Sequence, residues 1–129
     1  MTDNSIPENN KELVREAIQK VLVDGDLSVA DQYWAQDYIQ HSPAVPNGLD
    51  ALKEFFSTID IAYRVGTVVA DGDLVFAHSR VTGFGPKPVL LVDMFRIADG
   101  KIAEHWDVIQ EEVPASETAN GNAMYPIGA

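Results

Sequence analysis

Asp93, His105 and Asp107 stand among large apolar residues within one short stretch of the chain. The stretch runs from Val92 to Gln110 and reads VDMFRIADGKIAEHWDVIQ. Carboxylates and imidazoles are the side chains that most often transfer protons in enzymes, and burial can turn a carboxylate into a useful general base. The stretch could therefore form a reaction site if these three side chains share one face of a sheet.

Whether the three side chains share one face depends on the turn between the two predicted strands of this stretch. If residues 99–100 form a two-residue type I′ loop, Asp93 lies opposite Trp106 and points away from Asp107. If the loop instead has three residues and ends in a left-handed glycine, Asp93 lies opposite His105. Because side chains alternate along a strand, a one-residue difference in pairing moves every side chain to the other face.

We favour the three-residue loop because it gives the better side-chain pairs. It pairs Asp93 with His105 and brings Arg96 close enough to Glu104 for an ion pair. One predicted face then combines ionisable and apolar side chains, namely Leu91, Asp93, Phe95, Ala103, His105 and Asp107. The other predicted face is mainly apolar and holds Val92, Met94, Arg96, Ile102, Glu104 and Trp106.

A structural explanation stays open for each ionisable residue taken alone. An aspartate or histidine in a strand more often lies at a wet edge, or binds backbone groups, than takes part in catalysis. For Asp93 by itself the structural explanation is the better one. Three such side chains on one face, flanked by Leu91 and Phe95, favour a reaction site instead.

Further residues would complete a pocket around this face. Tyr38 and His41 lie in a proline-rich stretch that could overhang its mouth, whereas the sequence does not decide which way His78 faces. The expected ligand-binding residues are Tyr38, His41, Phe56, His78, Leu91 and Phe95. No two histidines have the close spacing of a chelating motif, so we predict no metal ion.

Composition limits the possible partners. The chain has 129 residues, with nine Lys and Arg against twenty Asp and Glu, and a net charge of −11. Such a charge repels nucleic acids and anionic membrane surfaces, so we expect a small neutral or apolar molecule as the partner. The absence of cysteine excludes disulfides and thiolate metal sites. With no long apolar run and no signal-peptide pattern, a cytoplasmic protein is expected.

The spacing of apolar residues changes along the chain. It predicts helices over residues 11–24, from Ser28 and over residues 49–59. A loop is predicted at 38–48. The later period of two predicts strands near residues 61–70, 74–82, 88–97 and 102–110. Helices followed by an antiparallel meander indicate one α+β domain over residues 1–129, with loosely ordered ends at 1–9 and about 115–129.

Several short motifs resemble one protein family. They are YIQHSP from Tyr38, DMFRI from Asp93, DGKI from Asp99 and EHWDV from Glu104, together with Gly48 ahead of the third predicted helix. With these motifs the chain is similar to the SnoaL-like polyketide cyclase family, within the nuclear transport factor 2-like superfamily. The resemblance extends from the first helix to about Gln110. It implies a cone-shaped, curved antiparallel sheet that encloses a hydrophobic cavity together with the N-terminal helices.

The resemblance also implies an activity and its residues. Characterised cyclases of this family catalyse an intramolecular aldol condensation with a strand aspartate as acid and base, and without metal or cofactor. Asp107 matches that aspartate, and Asp93 stands where those cyclases have a histidine. His105 could take the place of that histidine in space. The resemblance thus implies a lyase or isomerase of the polyketide cyclase type, often a homodimer packed sheet on sheet.

We expect a cofactor-independent enzyme that acts on a carbonyl compound. Asp107 would remove a proton alpha to the carbonyl group, His105 would donate a hydrogen bond to the enolate oxygen, and Asp93 would orient His105. Two alternatives use the same cavity: a module that binds a small apolar ligand, and a hydrolase in which Asp107 activates water. The hydrolase needs an inward-facing arginine, for which Arg64 and Arg80 are the candidates. The apolar outer face of the hairpin predicts a homodimer.

Overall fold

The structure, a computed structural model, describes residues 5–128 of the chain. The helical elements are α1 (Ser5–Ala17), a π-helical turn that continues it (Ile18–Val23), a 3₁₀ turn (Leu27–Gln32) and α2 (Leu49–Ser57). The strands are β1 (Trp34–Gln40), β2 (Ala62–Asp71), β3 (Leu74–Thr82), β4 (Val89–Ala98) and β5 (Lys101–Glu111). No helix within the described range is long and apolar enough to cross a membrane.

The predicted α+β fold is confirmed, with helices ahead of a curved, unclosed sheet. The strand order is β1-β5-β4-β3-β2, and the four predicted strands lie within one residue of their expected bounds. β2 to β5 pair antiparallel because short turns connect them, whereas β1 pairs parallel with β5 at one edge. α1 packs against β2 and β3, and α2 packs against β1. The helices therefore cover the concave face of the sheet.

α1 begins earlier than its apolar pattern predicts. Residues 5–9 are helical rather than loose, and residues 1–4 lie outside the described part of the chain. Pro7 is tolerated in a first turn, where its missing N–H has no helical partner, and Glu8 suits the positive end of the helix. The predicted helical spacing is confirmed by a buried stripe of Val14, Ala17, Ile18 and Val21.

β1 is the element that the sequence analysis misses. The predicted loop at 38–48 starts inside this strand, and Gln40 pairs with His105. A shift in the pairing interrupts β1, and its buried side chains, Trp34 and Tyr38, lie four residues apart. That spacing is typical of a helix, which hides the strand from a search for alternating residues. The missed strand places Gln40 beside the predicted reaction site.

The carboxyl-terminal segment is more ordered than the expected loose tail. It contains a 3₁₀ turn at Ala115–Glu117, and Tyr125 is buried. The Tyr125 hydroxyl donates a hydrogen bond to the Arg64 carbonyl oxygen at 3.2 Å, which attaches the segment to β2. Ala129 lies outside the described residues.

The hairpin of β4 and β5 follows neither predicted register along its whole length. Its turn, Asp99–Gly100, has φ values of 52° and 74°, as a two-residue type I′ loop requires. The pairing then shifts between the pairs Ile97–Ile102 and Arg96–Glu104. This shift leaves Ala103 as an extra residue on β5, which is a β-bulge.

The bulge keeps the three ionisable side chains on one face. Asp93 pairs directly with Asp107, so the predicted pairing of Asp93 with His105 is wrong, although the predicted shared face is correct. Ile102 precedes the bulge and therefore points to the inner face, where it has no exposed area. Its predicted position on the outer face is wrong for the same reason.

The outer face of the sheet is apolar around Trp106. The side chains that form it are Phe76, Val92, Met94, Trp106 and Val108, with Phe76 and Val108 the most exposed. The predicted ion pair forms beside them, with Arg96 Nε 2.9 Å from Glu104 Oε1. We refer to these five apolar residues as the outer patch.

Gly83 allows the end of β3 to lie against the start of β2. Its φ is 109°, and an added Cβ would lie 2.3 Å from the Asp60 carbonyl oxygen. We expect Gly83→Ala to lower the free energy of unfolding by at least about 2 kcal/mol, since the methyl group meets backbone and the φ disfavours alanine. Gly85→Ala is the control, because nothing lies within 4 Å of its added Cβ. Urea unfolding curves that coincide for the two variants would contradict this account.

Candidate active site

A cavity of about 380 Å³ lies between the concave face of the sheet and the helices. Its lining is mainly apolar and includes Trp34, Leu52, Phe55, Phe56, Leu91 and Phe95. Polar side chains also line it, among them Tyr38, Gln40, Ser42, Tyr63, Asp93, His105 and Asp107. A few convergent polar groups in an apolar cavity of this size are typical of a small-molecule site.

Asp93, His105 and Asp107 all line this cavity, as the sequence predicts. β4 supplies Asp93, and β5 supplies His105 and Asp107 from the same side of the strand. One side-chain nitrogen or oxygen from each residue lies within 4.8 Å of the others. Two carboxylates directly opposite each other destabilise a sheet, so this placement requires compensating hydrogen bonds.

Asp93 is the hydrogen-bonded carboxylate of the pair, and only 3% of it is exposed. Its Oδ1 lies 2.8 Å from His105 Nε2, and its Oδ2 accepts a hydrogen bond from the Tyr63 hydroxyl. Burial, followed by the charge of Asp93, raises the pKa of Tyr63 well above its usual value. The phenol therefore stays protonated and donates, and both oxygens of Asp93 are occupied.

Gln40 determines which nitrogen of His105 carries a hydrogen. The Ser42 backbone N–H can only donate, so the Gln40 atom 3.0 Å from it is the acceptor Oε1. The same oxygen lies 2.7 Å from His105 Nδ1, which must therefore be protonated. Because Nε2 is bound to Asp93, neither ring nitrogen is free. The hydrogen bond predicted from His105 to an enolate oxygen thus has no free N–H to make it.

Asp107 is the free carboxylate of the site. It lines the cavity and is partly exposed, and no donor within residues 5–128 forms a hydrogen bond to its side chain. A carboxylate with free lone pairs can accept a proton from a bound molecule, whereas Asp93 would first have to lose an existing partner. The two aspartates therefore differ in what they can do chemically.

The same three side chains could be taken for a metal site. A metal ion would need a lone pair on His105, yet both ring nitrogens face oxygen acceptors. The two carboxylates alone do not supply the three or four protein ligands that zinc takes in proteins. The donor set therefore fits proton transfer better than metal binding.

The structure brings four of the six expected ligand-binding residues to the cavity: Tyr38, Phe56, Leu91 and Phe95. His41 instead stacks on Trp106, with ring centroids 4.8 Å apart, and its Nε2 lies 2.7 Å from Glu104 Oε2. The neighbours of His78 on β3 are buried on the inner face, so His78 itself points outward. Its ring packs against Tyr125. The predicted placement of His41 and His78 at the pocket is wrong.

Gln40 and Tyr63 are the polar residues of the site that the sequence analysis misses. Gln40 follows Tyr38 by two residues, so the two share a strand face. This two-residue spacing is visible in the sequence, but it predicts a shared face only if the segment is a strand. Tyr63 binds Asp93 across 30 residues of sequence, and nothing near it in the chain indicates this partner.

A family model of the SnoaL-like domain matches residues 14–105. The chain belongs to the SnoaL-like domain family. The resemblance seen in the sequence is thereby confirmed, and the matched range includes Asp93 and His105 and ends just before Asp107. No match to this SnoaL-like protein was found among curated proteins.

Solved structures show the same fold as this SnoaL-like protein. A candidate SnoaL-like polyketide cyclase from Jannaschia sp. CCS1 has a TM-score of 0.69 and 22% identity, covering 84% of this chain and 90% of that chain. A candidate ketosteroid isomerase from Kribbella flavida has a TM-score of 0.71 and 19% identity, covering 83% and 82%. An LEH-like epoxide hydrolase from M. tuberculosis has a TM-score of 0.66 and 18% identity, covering 81% and 84%. At these identities the similarity concerns the fold alone.

Proposed function

We propose that this SnoaL-like protein is a cofactor-independent enzyme that removes a proton from a carbon next to a carbonyl group. The observation that carries the proposal is the difference between two facing carboxylates in one apolar cavity. Asp93 has both oxygens hydrogen-bonded, whereas Asp107 has no donor among the described residues. A general base needs a free lone pair within reach of its substrate, and Asp107 meets that requirement.

The proposed reaction begins when an oxygen of Asp107 takes the α-proton. The C–H electron pair moves into the carbonyl group and forms an enolate. In an isomerisation, Asp107 returns the proton to a different carbon. In an aldol condensation, the enolate carbon attacks a second carbonyl group, and the alkoxide that forms takes the proton from Asp107. No electrons leave the substrate, so the reaction needs neither an oxidant nor a cofactor.

Asp93 and His105 support this reaction without taking the proton. Their hydrogen bond at 2.8 Å keeps Asp93 occupied, so that Asp107 is the carboxylate available as a base. A hydrogen atom between His105 and Asp93 also offsets the repulsion between the two facing carboxylates. The proposed role of the pair is therefore to hold the reaction wall and its charge in place.

The cavity favours a compact, neutral carbonyl compound as substrate. Its volume of about 380 Å³ is near the small end of the roughly 300–1,000 Å³ of ligand pockets. The apolar lining suits a hydrocarbon body, and the net charge of −11 disfavours anionic substrates. A ketone with one or two rings meets these conditions.

The proposal is tested by incubating the protein with a panel of activated ketones in deuterium oxide. Proton transfer by Asp107 should replace α-hydrogen with deuterium faster than buffer does, and NMR measures the replacement directly. A ketone that binds tightly and exchanges no faster than in buffer would indicate a binding module and would exclude the proposed catalysis.

Water activation by Asp107 has less support, because no arginine lines the cavity among residues 5–128. The Arg80 guanidinium binds Glu112 through two hydrogen bonds of 2.9 and 3.0 Å. The Arg64 guanidinium lies over the Tyr125 ring, 5.7 Å from its centroid. Neither candidate arginine is placed beside Asp107, so we do not propose a hydrolase.

We also propose that the outer patch forms a homodimer interface. An exposed apolar patch on a sheet is costly in water and is typical of an interaction surface. Val108→Lys places a charge in the patch, where Val108 is 62% exposed, and should shift the protein from dimer to monomer in sedimentation velocity at micromolar concentration. Ile6→Lys is the control, because Ile6 is 58% exposed on α1, away from the patch. A wild-type monomer would contradict the proposal.

A further inference from the structure

Tyr38 offers the cavity a phenol whose orientation is fixed by its neighbours. Gln40 Oε1 faces the Ser42 N–H, so the other end of the Gln40 amide, Nε2, faces the Tyr38 oxygen. An amide nitrogen donates only, so the Tyr38 oxygen acts as acceptor in this hydrogen bond. The hydroxyl hydrogen of Tyr38 is consequently not used by Gln40.

No acceptor within residues 5–128 takes this hydroxyl hydrogen. Tyr38 lines the cavity and is 1% exposed, so a molecule bound in the cavity can supply the acceptor that its hydroxyl lacks. A buried hydroxyl without an acceptor costs free energy, which a ligand oxygen would recover. Tyr38 is therefore suited to bind an oxygen atom of the substrate.

The donors of Tyr63 and His105 on the polar wall are already in use. The Tyr63 hydroxyl donates to Asp93, and the two ring nitrogens of His105 face Gln40 and Asp93. Ser42 also brings a hydroxyl to the cavity lining, and it serves as the competing candidate in the test below.

The electrostatic surroundings keep Tyr38 protonated. Burial contributes most to the rise in its pKa, and the charges of Asp107 and then Asp93 raise the pKa further, while the hydrogen bond from Gln40 acts in the opposite direction. A phenol that holds its proton at all working pH values can donate a hydrogen bond but cannot act as a base. Tyr38 and Asp107 line the same cavity.

We propose that Tyr38 is a catalytic residue that donates a hydrogen bond to the carbonyl oxygen of the substrate and stabilises the enolate formed there. This inference rests on the proposed function and assigns to Tyr38 the donor role that the sequence suggested for His105. As Asp107 takes the α-proton, negative charge grows on the carbonyl oxygen, and the Tyr38 hydroxyl keeps its own proton while its hydrogen bond strengthens. Donors preorganised in this way typically contribute about 10²–10³-fold to a rate.

The test uses acetophenone labelled with ¹³C at its carbonyl carbon, since a hydrogen bond to the oxygen moves that NMR signal downfield. With wild-type protein we expect a bound signal downfield of its position in an apolar solvent. Tyr38→Phe should return the signal to the apolar position and should lower α-exchange by about 10²–10³-fold. Tyr125→Phe is the matched control and should change neither, because it removes a phenol hydroxyl that lies outside the cavity lining and donates to the Arg64 carbonyl oxygen. Ser42→Ala tests the competing donor, since it removes a hydroxyl from the cavity lining but retains the backbone N–H that binds Gln40.

A second variant protects the test against a folding defect in Tyr38→Phe. Replacement of Tyr38 by 3-fluorotyrosine keeps the size and makes the phenol a stronger donor, so the bound signal should move further downfield. The proposal is overturned if Tyr38→Phe keeps the downfield signal or if Ser42→Ala loses it. It is also overturned if the wild-type protein gives no signal of bound acetophenone. Failure of the proposed function has a different outcome, in which the signal follows Tyr38 but no variant or wild type exchanges the α-hydrogen.

Discussion

Asp107→Asn should lower turnover by about 10²–10⁴-fold while leaving ligand affinity close to that of the wild type. The amide keeps the size and shape of the side chain but cannot accept a proton, so only the chemical step is affected. Rates of α-exchange at saturating ketone, together with calorimetric titration of the same ketone, separate these two quantities.

The controls for this prediction concern stability and the second aspartate. Asp107 faces Asp93 across the hairpin, so removing its charge should leave the free energy of unfolding level or slightly raised. Asp93→Asn should reduce turnover less, because it alters a residue that positions His105. Full turnover in Asp107→Asn, or loss of its fold, would make Asp107 a structural residue.

Asp93→Ala should lower the free energy of unfolding by about 2–6 kcal/mol, because two buried polar groups lose their hydrogen-bond partner at about 1–3 kcal/mol each. Asp93 binds both His105 Nε2 and the Tyr63 hydroxyl, and its loss would leave two buried polar groups without a partner. Urea unfolding followed by circular dichroism measures this change.

Asp107→Ala is the matched control for that measurement, since it removes the same side chain from the directly opposite position. This variant leaves no donor without a partner, so its midpoint of urea unfolding should stay at or above that of the wild type. Equal losses in the two alanine variants would show that the hydrogen-bonded and free aspartates do not differ, against the assignment made here.

The sequence predicts most of this fold because its strongest signals are periodic. Buried side chains alternate along β3 and most of β4, and the stripe on α1 has helical spacing, so these elements are predicted. β1 is missed because a shift in its pairing breaks the alternation. Tyr38 and Gln40 are therefore placed in a loop by the sequence but lie in the strand beside His105.

The sequence predicts the three ionisable residues of the site but not how they pair. Alternation places His105 and Asp107 on one face, but Asp93 shares that face only because of the bulge at Ala103, which also changes which residues pair. A bulge has no strong local signature, since it depends on how two strands fit the rest of the sheet. Contacts such as Tyr63 to Asp93 join distant segments and require the folded chain.

The most direct test of the central claim is the stereochemistry of α-exchange. Asp107 lies on one wall of the cavity, so it should reach only one of the two hydrogens on the α-methylene of a bound ketone such as 1-indanone. We predict that wild-type protein in deuterium oxide introduces a single deuterium of one configuration, and that Asp107→Asn does not. Equal exchange of both hydrogens, or unchanged single exchange in Asp107→Asn, would contradict the assignment of Asp107 as the base.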